Sequence, residues 1–339
     1  MCRCTGYRPI IEAAGRACKT KDDQFTQSEP QTVERLKALA TAETATLIKS
    51  SRCLLPKSLP ALAELYAQHP QARLLAGGTD LALSITQQYQ TLPLIIGLSQ
   101  VAELKTIDIS DEEIRIGAAA PLQTCQQALE GPLPAFAKVL ERFASRQVRN
   151  HGTLGGNLAN ASPIGDCAPV LLALDAVLEL RRGALKRRLP LDEFFVGYRQ
   201  TALKAGEFIS HIIIPRVTVS PKFAAWKISK RKDDDISTVF GAFNLHINEG
   251  VVMSARIAFG GMAATPARAV ECERALLGQP LNAQSLAKAN LALAADFQPL
   301  SDFRGSGRYR LAVAQNLLHR LMLQYTTPAS VLEIQDYVN

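Results

Sequence analysis

The sequence lacks the short signatures of the commonest nucleotide, metal and hydrolase chemistries. It has no Gly-x-x-x-x-Gly-Lys-[Ser/Thr], and no Gly-x-Gly-x-x-Gly follows a predicted strand, so neither a P-loop kinase nor a simple Rossmann dehydrogenase fits. His-Glu-x-x-His and cysteine–histidine zinc spacings are missing, and the five histidines are dispersed. No Gly-x-Ser-x-Gly elbow offers a nucleophile. The chain has no uninterrupted apolar run of the roughly 18 residues that a membrane span needs, and its first residues have no apolar signal core. These absences predict a cytoplasmic protein that does not engage a membrane. The seven cysteines are odd in number and scattered, with no Cys-x-x-Cys, which argues against a disulfide framework and for a reducing compartment.

At 339 residues the chain exceeds the usual size of a single core, so two or three domains are expected. The net charge of +7 comes largely from short clusters such as Arg181-Arg182 with Lys186-Arg187-Arg188. Such clusters read as a solvated face or a partner surface rather than a nucleic-acid site.

Two glycine-rich stretches stand out. In residues 150–166, Gly152, Gly155 and Gly156 permit close backbone approach to a ligand, and Thr153, Asn157, Asn160 and Ser162 supply short polar side chains. The earlier run Ala76-Gly77-Gly78-Thr79-Asp80 falls where a short buried strand at 73–76 should turn into a helix capped by Thr79 or Asp80. Amides at such a turn suit an anion, and a polyphosphate could bridge both loops.

Around them, Ser58 should cap a helix over residues 58–68, and residues 93–97 read as a strand. Residues 104–109 and 113–117 read as a hairpin, and helical patterns cover 122–129 and 134–143. Residues 167–174 form a predicted buried helix for which Asp166 is the natural N-cap. A hairpin at 176–189 and a strand at 207–214 follow. From about residue 221, three strands (223–229, 237–247 and 251–260) precede helices near 268–277, 283–295 and 307–323, an α+β layering. Phe143 reads as a core aromatic or as a plane for stacking, and the run from Lys230 to Asp235 reads as an exposed charged loop. Cys2 and Cys4 could be incidental thiols or half the ligands of a [2Fe-2S] centre.

The ordered set of motifs resembles the xanthine dehydrogenase and molybdenum hydroxylase family. Cys2-Arg3-Cys4-Thr5-Gly6-Tyr7-Arg8-Pro9-Ile10 is similar to the last cluster-binding segment of that family's helical [2Fe-2S] domain. Residues 75–81, 153–157, 162–166, 197–199, 227–236, 260–263 and 303–310 follow in the order of its FAD-binding portion. The resemblance implies an α+β fold. It comprises an FAD-binding domain of the molybdenum hydroxylase (PCMH-like) type in two α/β subdomains, then a C-terminal domain of antiparallel sheet plus helices. The implied boundaries are a [2Fe-2S] remnant at 1–17, a linker at 18–45, the FAD-binding domain at 46–220, the C-terminal domain at 221–330 and a tail at 331–339.

By the same resemblance, Leu75, Ala76, Gly77, Gly78, Thr79, Asp80, Thr153, Gly155, Gly156, Asn157, Ser162 and Asp166 contact FAD. Phe143 faces the isoalloxazine, Lys227 lies at its pyrimidine edge, and Asp234 and Asp235 belong to a loop beside the flavin. Cys2 and Cys4 would be half of a [2Fe-2S] site whose other ligands, with the preceding domain, are missing here, as in a truncated chain. The implied activity is an oxidoreductase step. Electrons from purine hydroxylation on a molybdenum-cofactor large subunit pass through [2Fe-2S] clusters and FAD to NAD, in a heterotetramer or larger assembly. The medium flavin subunit of a carbon monoxide or aromatic hydroxylase, or a non-catalytic assembly fragment, is the alternative.

Overall fold

A computed structural model describes residues 6–19, 23–41, 47–48 and 51–326. Cys2, Cys4 and the expected tail at 331–339 lie outside the described residues. The chain divides into two compact units, residues 1–45 and residues 46–339.

The first unit holds two helices, Arg8–Ala17 and Gln24–Thr41. The second occupies much of the stretch that reads as a linker and starts earlier than the helix-prone residues near 31. The reason is local: the Asp23 carboxylate accepts the Phe25 and Thr26 amides at 3.0 and 2.8 Å, closing the first turn, and Pro30 is carried within the helix.

The second unit opens with a four-stranded sheet in the order Leu47–Ile48, Ser51–Leu54, Leu94–Gly97, Arg73–Leu75, of which the last three run parallel. Helix Leu59–Gln68 connects two of them, started by Ser58, whose hydroxyl accepts the Ala61 amide at 3.3 Å, and it buries Leu62 and Ala63 completely. The strand Arg73–Leu75 is half-exposed rather than buried, because it is the sheet's edge. The predicted hairpin arm at 104–109 is divided. Ala102–Lys105 forms a 3-10 turn, where the Glu103 carboxylate accepts the Leu59 amide at 3.0 Å, and only Ile107–Ile109 is strand.

A five-stranded antiparallel sheet follows, ordered Ile107–Ile109, Glu113–Gly117, Phe208–Pro215, Val177–Arg182, Leu185–Pro190. Ile114, Ile116, Leu178, Leu180, Ile212 and Ile214 share one core with helices Leu122–Leu129, Pro134–Glu141 and Cys167–Ala173. All seven residues of the last helix are buried. Elsewhere in the sheet, one carboxylate oxygen of Glu179 gathers Arg115 Nη2 at 2.9 Å, Ser210 Oγ at 2.9 Å and His211 Nδ1 at 3.2 Å.

The remainder is an antiparallel sheet of Ala224–Ile228, Val239–Asn248, Val251–Gly260 and Ala267–Arg268, backed by helices Val270–Leu276, Ala283–Asp296 and Gly307–Thr326. The turn between its two long strands puts Glu249 and Gly250 at φ 48° and 80°, the left-handed geometry that keeps hairpin strands in register. Phe243, Phe259 and Phe297 meet edge to face at 5.6 Å in its core.

Candidate functional site

Residues within 73–81, 143–166 and 227–237, together with Leu122, wall a cleft of about 700 Å³. The two glycine loops touch directly. A Cβ on Gly77 would lie 1.7 Å from the His151 carbonyl oxygen, and one on Gly152 would lie 3.4 Å from Thr79 Oγ1. Only bare backbone can pack this tightly, and Gly78 adds a positive φ of 72° that turns the chain. Among the described residues, no hydrogen bond occupies the amides of Gly77, Gly78 or Thr79. The six-residue helix Leu81–Thr86 that follows has Asp80 at its N-cap without a side-chain bond, so neither residue predicted to cap it uses its side chain that way.

The second loop is partly committed to its own fold. Thr153 Oγ1 accepts the Gly156 amide at 3.1 Å and so caps helix Leu154–Ala159. The Gly155 amide donates to the Ala118 carbonyl at 2.9 Å, and a Cβ there would meet the Ala118 Cβ at 2.5 Å. Gly155 therefore packs helix against sheet behind the cleft wall, and Leu75 is also not among the lining residues. Ala76, Gly77, Gly78, Thr79, Asp80, Phe143, Thr153, Gly156, Asn157, Ser162, Asp166, Lys227, Asp234 and Asp235 all line the cleft. Asn157 Oδ1 is buried there without a partner, an acceptor waiting for a donor.

Asp166 does not serve as a side-chain N-cap. Its backbone is helical (φ −78°, ψ −25°), whereas a capping residue needs extended geometry to fold its carboxylate onto the first amides. The carboxylate instead reaches across to the C-terminal sheet: Lys227 Nζ donates to Oδ2 at 2.6 Å, and Ser237 Oγ donates to Oδ1 at 2.5 Å. Asp166, Lys227 and Ser237 are 3%, 8% and 1% exposed, so a buried ion pair sits in the wall. Cys167, next in the chain, has its thiol pushed well up by burial, with the Asp166 charge adding to the effect.

Phe143 is half-buried, lines the cleft and packs against the main core. The turn after it is strained, with Ala144 at φ 44°, and Arg149 Nη1 braces it by donating to the Phe143 and Ala144 carbonyls at 3.0 and 2.9 Å. Arg142 clamps the rim: its guanidinium donates to the Lys232 carbonyl at 3.0 and 3.3 Å and to the Lys227 carbonyl at 3.4 Å.

The charged loop is ordered from within. The Asp235 carboxylate accepts the amides of Arg231 at 2.8 Å and Ile236 at 3.0 Å, and the first of these is the main reason its pKa falls below the usual carboxylate value. Asp234 takes a positive φ of 50°. Lys230 Nζ donates to the Phe303 carbonyl at 2.7 Å. The Gly261 amide donates to the Pro163 carbonyl at 2.8 Å, and Arg310 donates to the carbonyls of Thr238 and Gly261 and to the Asp302 carboxylate. The late motifs at 260–263 and 303–310 thus support the cleft from behind. Ser237, Arg142 and Arg149 are residues that the sequence reading missed, while Arg310 belongs to the 303–310 motif. The partners of Ser237 and Arg142 lie at least 70 positions away, and no local pattern marks such contacts. For Arg149, the strained Phe143-Ala144 turn is visible only in the backbone.

Unpaired amides beside bare backbone, an aromatic wall and a buried ion pair suit an elongated ligand with an anionic middle and a flat end. The class so defined is an α+β protein that binds a nucleotide-like cofactor. Residues 49–217 match the family model described as the FAD binding domain in molybdopterin dehydrogenase, and residues 224–325 match that of the CO dehydrogenase flavoprotein C-terminal domain. The chain is 30% identical to the xanthine dehydrogenase of Drosophila subobscura over 97% of its own length, but spans 29% of that protein. It is also 30% identical to XdhB of Escherichia coli (strain K12), an inferred xanthine dehydrogenase FAD-binding subunit, covering 78% of this chain and 92% of that one. Among solved structures, carbon monoxide dehydrogenase from Hydrogenophaga pseudoflava superposes with a TM-score of 0.74 at 28% identity, over 81% of this chain and 96% of that one. The chain belongs to the FAD-binding flavoproteins of the molybdenum hydroxylase family.

Proposed function

We propose that this chain is the electron-transfer flavoprotein of a xanthine dehydrogenase-type enzyme. In that reading, electrons from purine hydroxylation at a partner molybdenum subunit arrive through [2Fe-2S] clusters, and NAD receives them. The observation that carries the cofactor part is the convergence of two glycine loops that leave the Gly77, Gly78 and Thr79 amides unpaired beside an orphaned Asn157 oxygen.

Bound FAD supplies the redox chemistry, and the protein positions and tunes it. The residues at 76–79 would donate amides to the pyrophosphate, whose charge suits unpaired N–H groups held by a rigid turn. Asn157 Oδ1 would accept from a ligand hydroxyl or N–H. Ser162 and Asp80 would contact the sugar portions, and Phe143 would cover one face of the ring system. Gly155 and Leu75 act indirectly, by packing the walls. Asp234 stands on the exposed rim, where an electron acceptor would approach, and the half-buried Asp235 shapes the loop beside it. Cys2 and Cys4 would ligate a cluster only with two further ligands from elsewhere.

The xanthine assignment rests on the curated relatives, with the cysteine segment ahead of the FAD-binding portion in support. The carbon monoxide dehydrogenase likeness favours a second reading, the medium subunit of another molybdenum hydroxylase. Purified protein should be yellow and hold one FAD per chain. Correctly folded, colourless protein that refuses added FAD would defeat the flavoprotein reading. Co-purification from the native host, followed by assays with purines, carbon monoxide and N-heteroaromatics, separates the two enzyme readings.

A further inference from the structure

Arg142, next to Phe143 in the chain, donates to the Lys227 carbonyl, and both Lys227 and Phe143 line the cleft, which places Lys227 toward its aromatic end. Its ammonium has three donors and gives one to Asp166. Each Asp166 oxygen is already engaged, one by Lys227 and the other by Ser237. Ser237 comes from the far side of the charged loop, just before strand Val239–Asn248, and its hydroxyl is wholly enclosed. A buried carboxylate held from both sides is poorly placed to turn toward a ligand and well placed to fix a lysine.

We infer that Ser237 and Asp166 are positioning residues that lock the Lys227 ammonium at the ring end of the cleft. The ion pair is neutral overall, so its effect lies in its orientation: with the ammonium held toward the ring, the bound cofactor is a stronger electron acceptor. The physical basis is that a charge held by buried partners needs no reorganisation when negative charge develops beside it, and it acts strongly where water is excluded. The charge matters only if it stays in place, and the Ser237 hydroxyl keeps the carboxylate from rotating away. This inference rests on the flavoprotein reading, and it assigns to Ser237 a part in setting the cofactor's potential.

The test compares FAD affinity and the two-electron midpoint potential of wild type, Ser237→Ala, Ser237→Thr, Lys227→Gln and the Ser237→Ala/Lys227→Gln double variant. Ser237→Ala should retain one FAD per chain with a potential lowered by about 30 mV, a tenfold change in the reduction equilibrium. Ser237→Thr, which keeps the hydroxyl, should stay at the wild-type value. In the Lys227→Gln background Ser237→Ala should cause no further shift, because the charge it positions is gone. An unchanged potential in Ser237→Ala, or the same shift with and without Lys227, overturns the inference while leaving FAD binding intact. Wild-type protein that binds no FAD defeats the flavoprotein reading instead. Should Ser237→Ala not fold, Ser237→Cys, a weaker donor of similar size, makes the same comparison.

Discussion

Gly77 lies against His151 so closely that a methyl group on it would stand 1.7 Å from the His151 carbonyl oxygen. The contact is backbone to backbone, so no side chain can swing aside to relieve it. Gly77→Ala should therefore separate the two glycine loops, costing about 3 kcal/mol and most of the FAD content. Gly131→Ala, where a Cβ meets nothing within 4 Å, is the control and should leave both unchanged. Thermal unfolding and the flavin-to-protein absorbance ratio check the pair.

Asp166 and Lys227 form a buried ion pair, and removing one partner strands the other charge. Asp166→Ala and Lys227→Met should each destabilise the chain by about 3–5 kcal/mol. The double variant should lose much less than the sum, since no unpaired charge remains. Urea unfolding of the four proteins closes the cycle. Strict additivity would show that the two side chains do not act together.

The Glu179 cluster sets an acid limit on stability. Burial by itself would raise the Glu179 pKa, but hydrogen bonds from Arg115 and Ser210, with the Arg115 charge, outweigh it and hold it at about 2. The folded value lies below the unfolded one of 4.5, so this stabilisation is complete above the unfolded value and is lost as pH falls toward about 2. His211 is shifted below its ordinary value by burial first and by Arg115 second, against the pull of Glu179. Its contribution is present above its unfolded value of 6.5 and declines as pH drops through the folded one. Glu179→Gln should lower the melting temperature at pH 7, and the gap to wild type should close as pH approaches 2. A gap that stays constant across the range would show that the cluster is not linked to proton uptake.

Arg142 fastens a loop rich in trypsin sites. Lys230, Arg231 and Lys232 are exposed, and the Arg142 guanidinium holds the Lys232 carbonyl. Arg142→Ala should speed tryptic cleavage at these positions several-fold, on the order of the population change expected from losing hydrogen bonds worth about 1 kcal/mol. Mass mapping of early fragments measures it, and unchanged cleavage would show that the loop is held without Arg142.

How much of this was legible in the sequence depends on whether its cause is local. Ser58 and the Asn248-Glu249-Gly250 turn act within a few residues, and their helix and hairpin lie close to where composition places them, whereas the helix Leu154–Ala159 that Thr153 caps was not foreseen. The glycine loops were visible as motifs because close approach demands missing side chains. What was not visible is how each amide is used: Gly155 and Gly156 are neighbours with the same chemistry, yet the first donates to the Ala118 carbonyl and the second to the Thr153 hydroxyl. Asp166 failed as a cap for a related reason. Its position favours capping, but Lys227 and Ser237, more than 60 residues later, offered the carboxylate stronger partners.

The distance in sequence between the cleft's walls has a consequence for biosynthesis. The first glycine loop emerges near residue 77, the Lys227 wall much later, and the Arg310 side chain that ties Thr238 to Gly261 later still. Such non-local contacts form only after long loops have closed. A nascent chain on the ribosome therefore displays only part of the cleft until the segments that hold its far wall have been made.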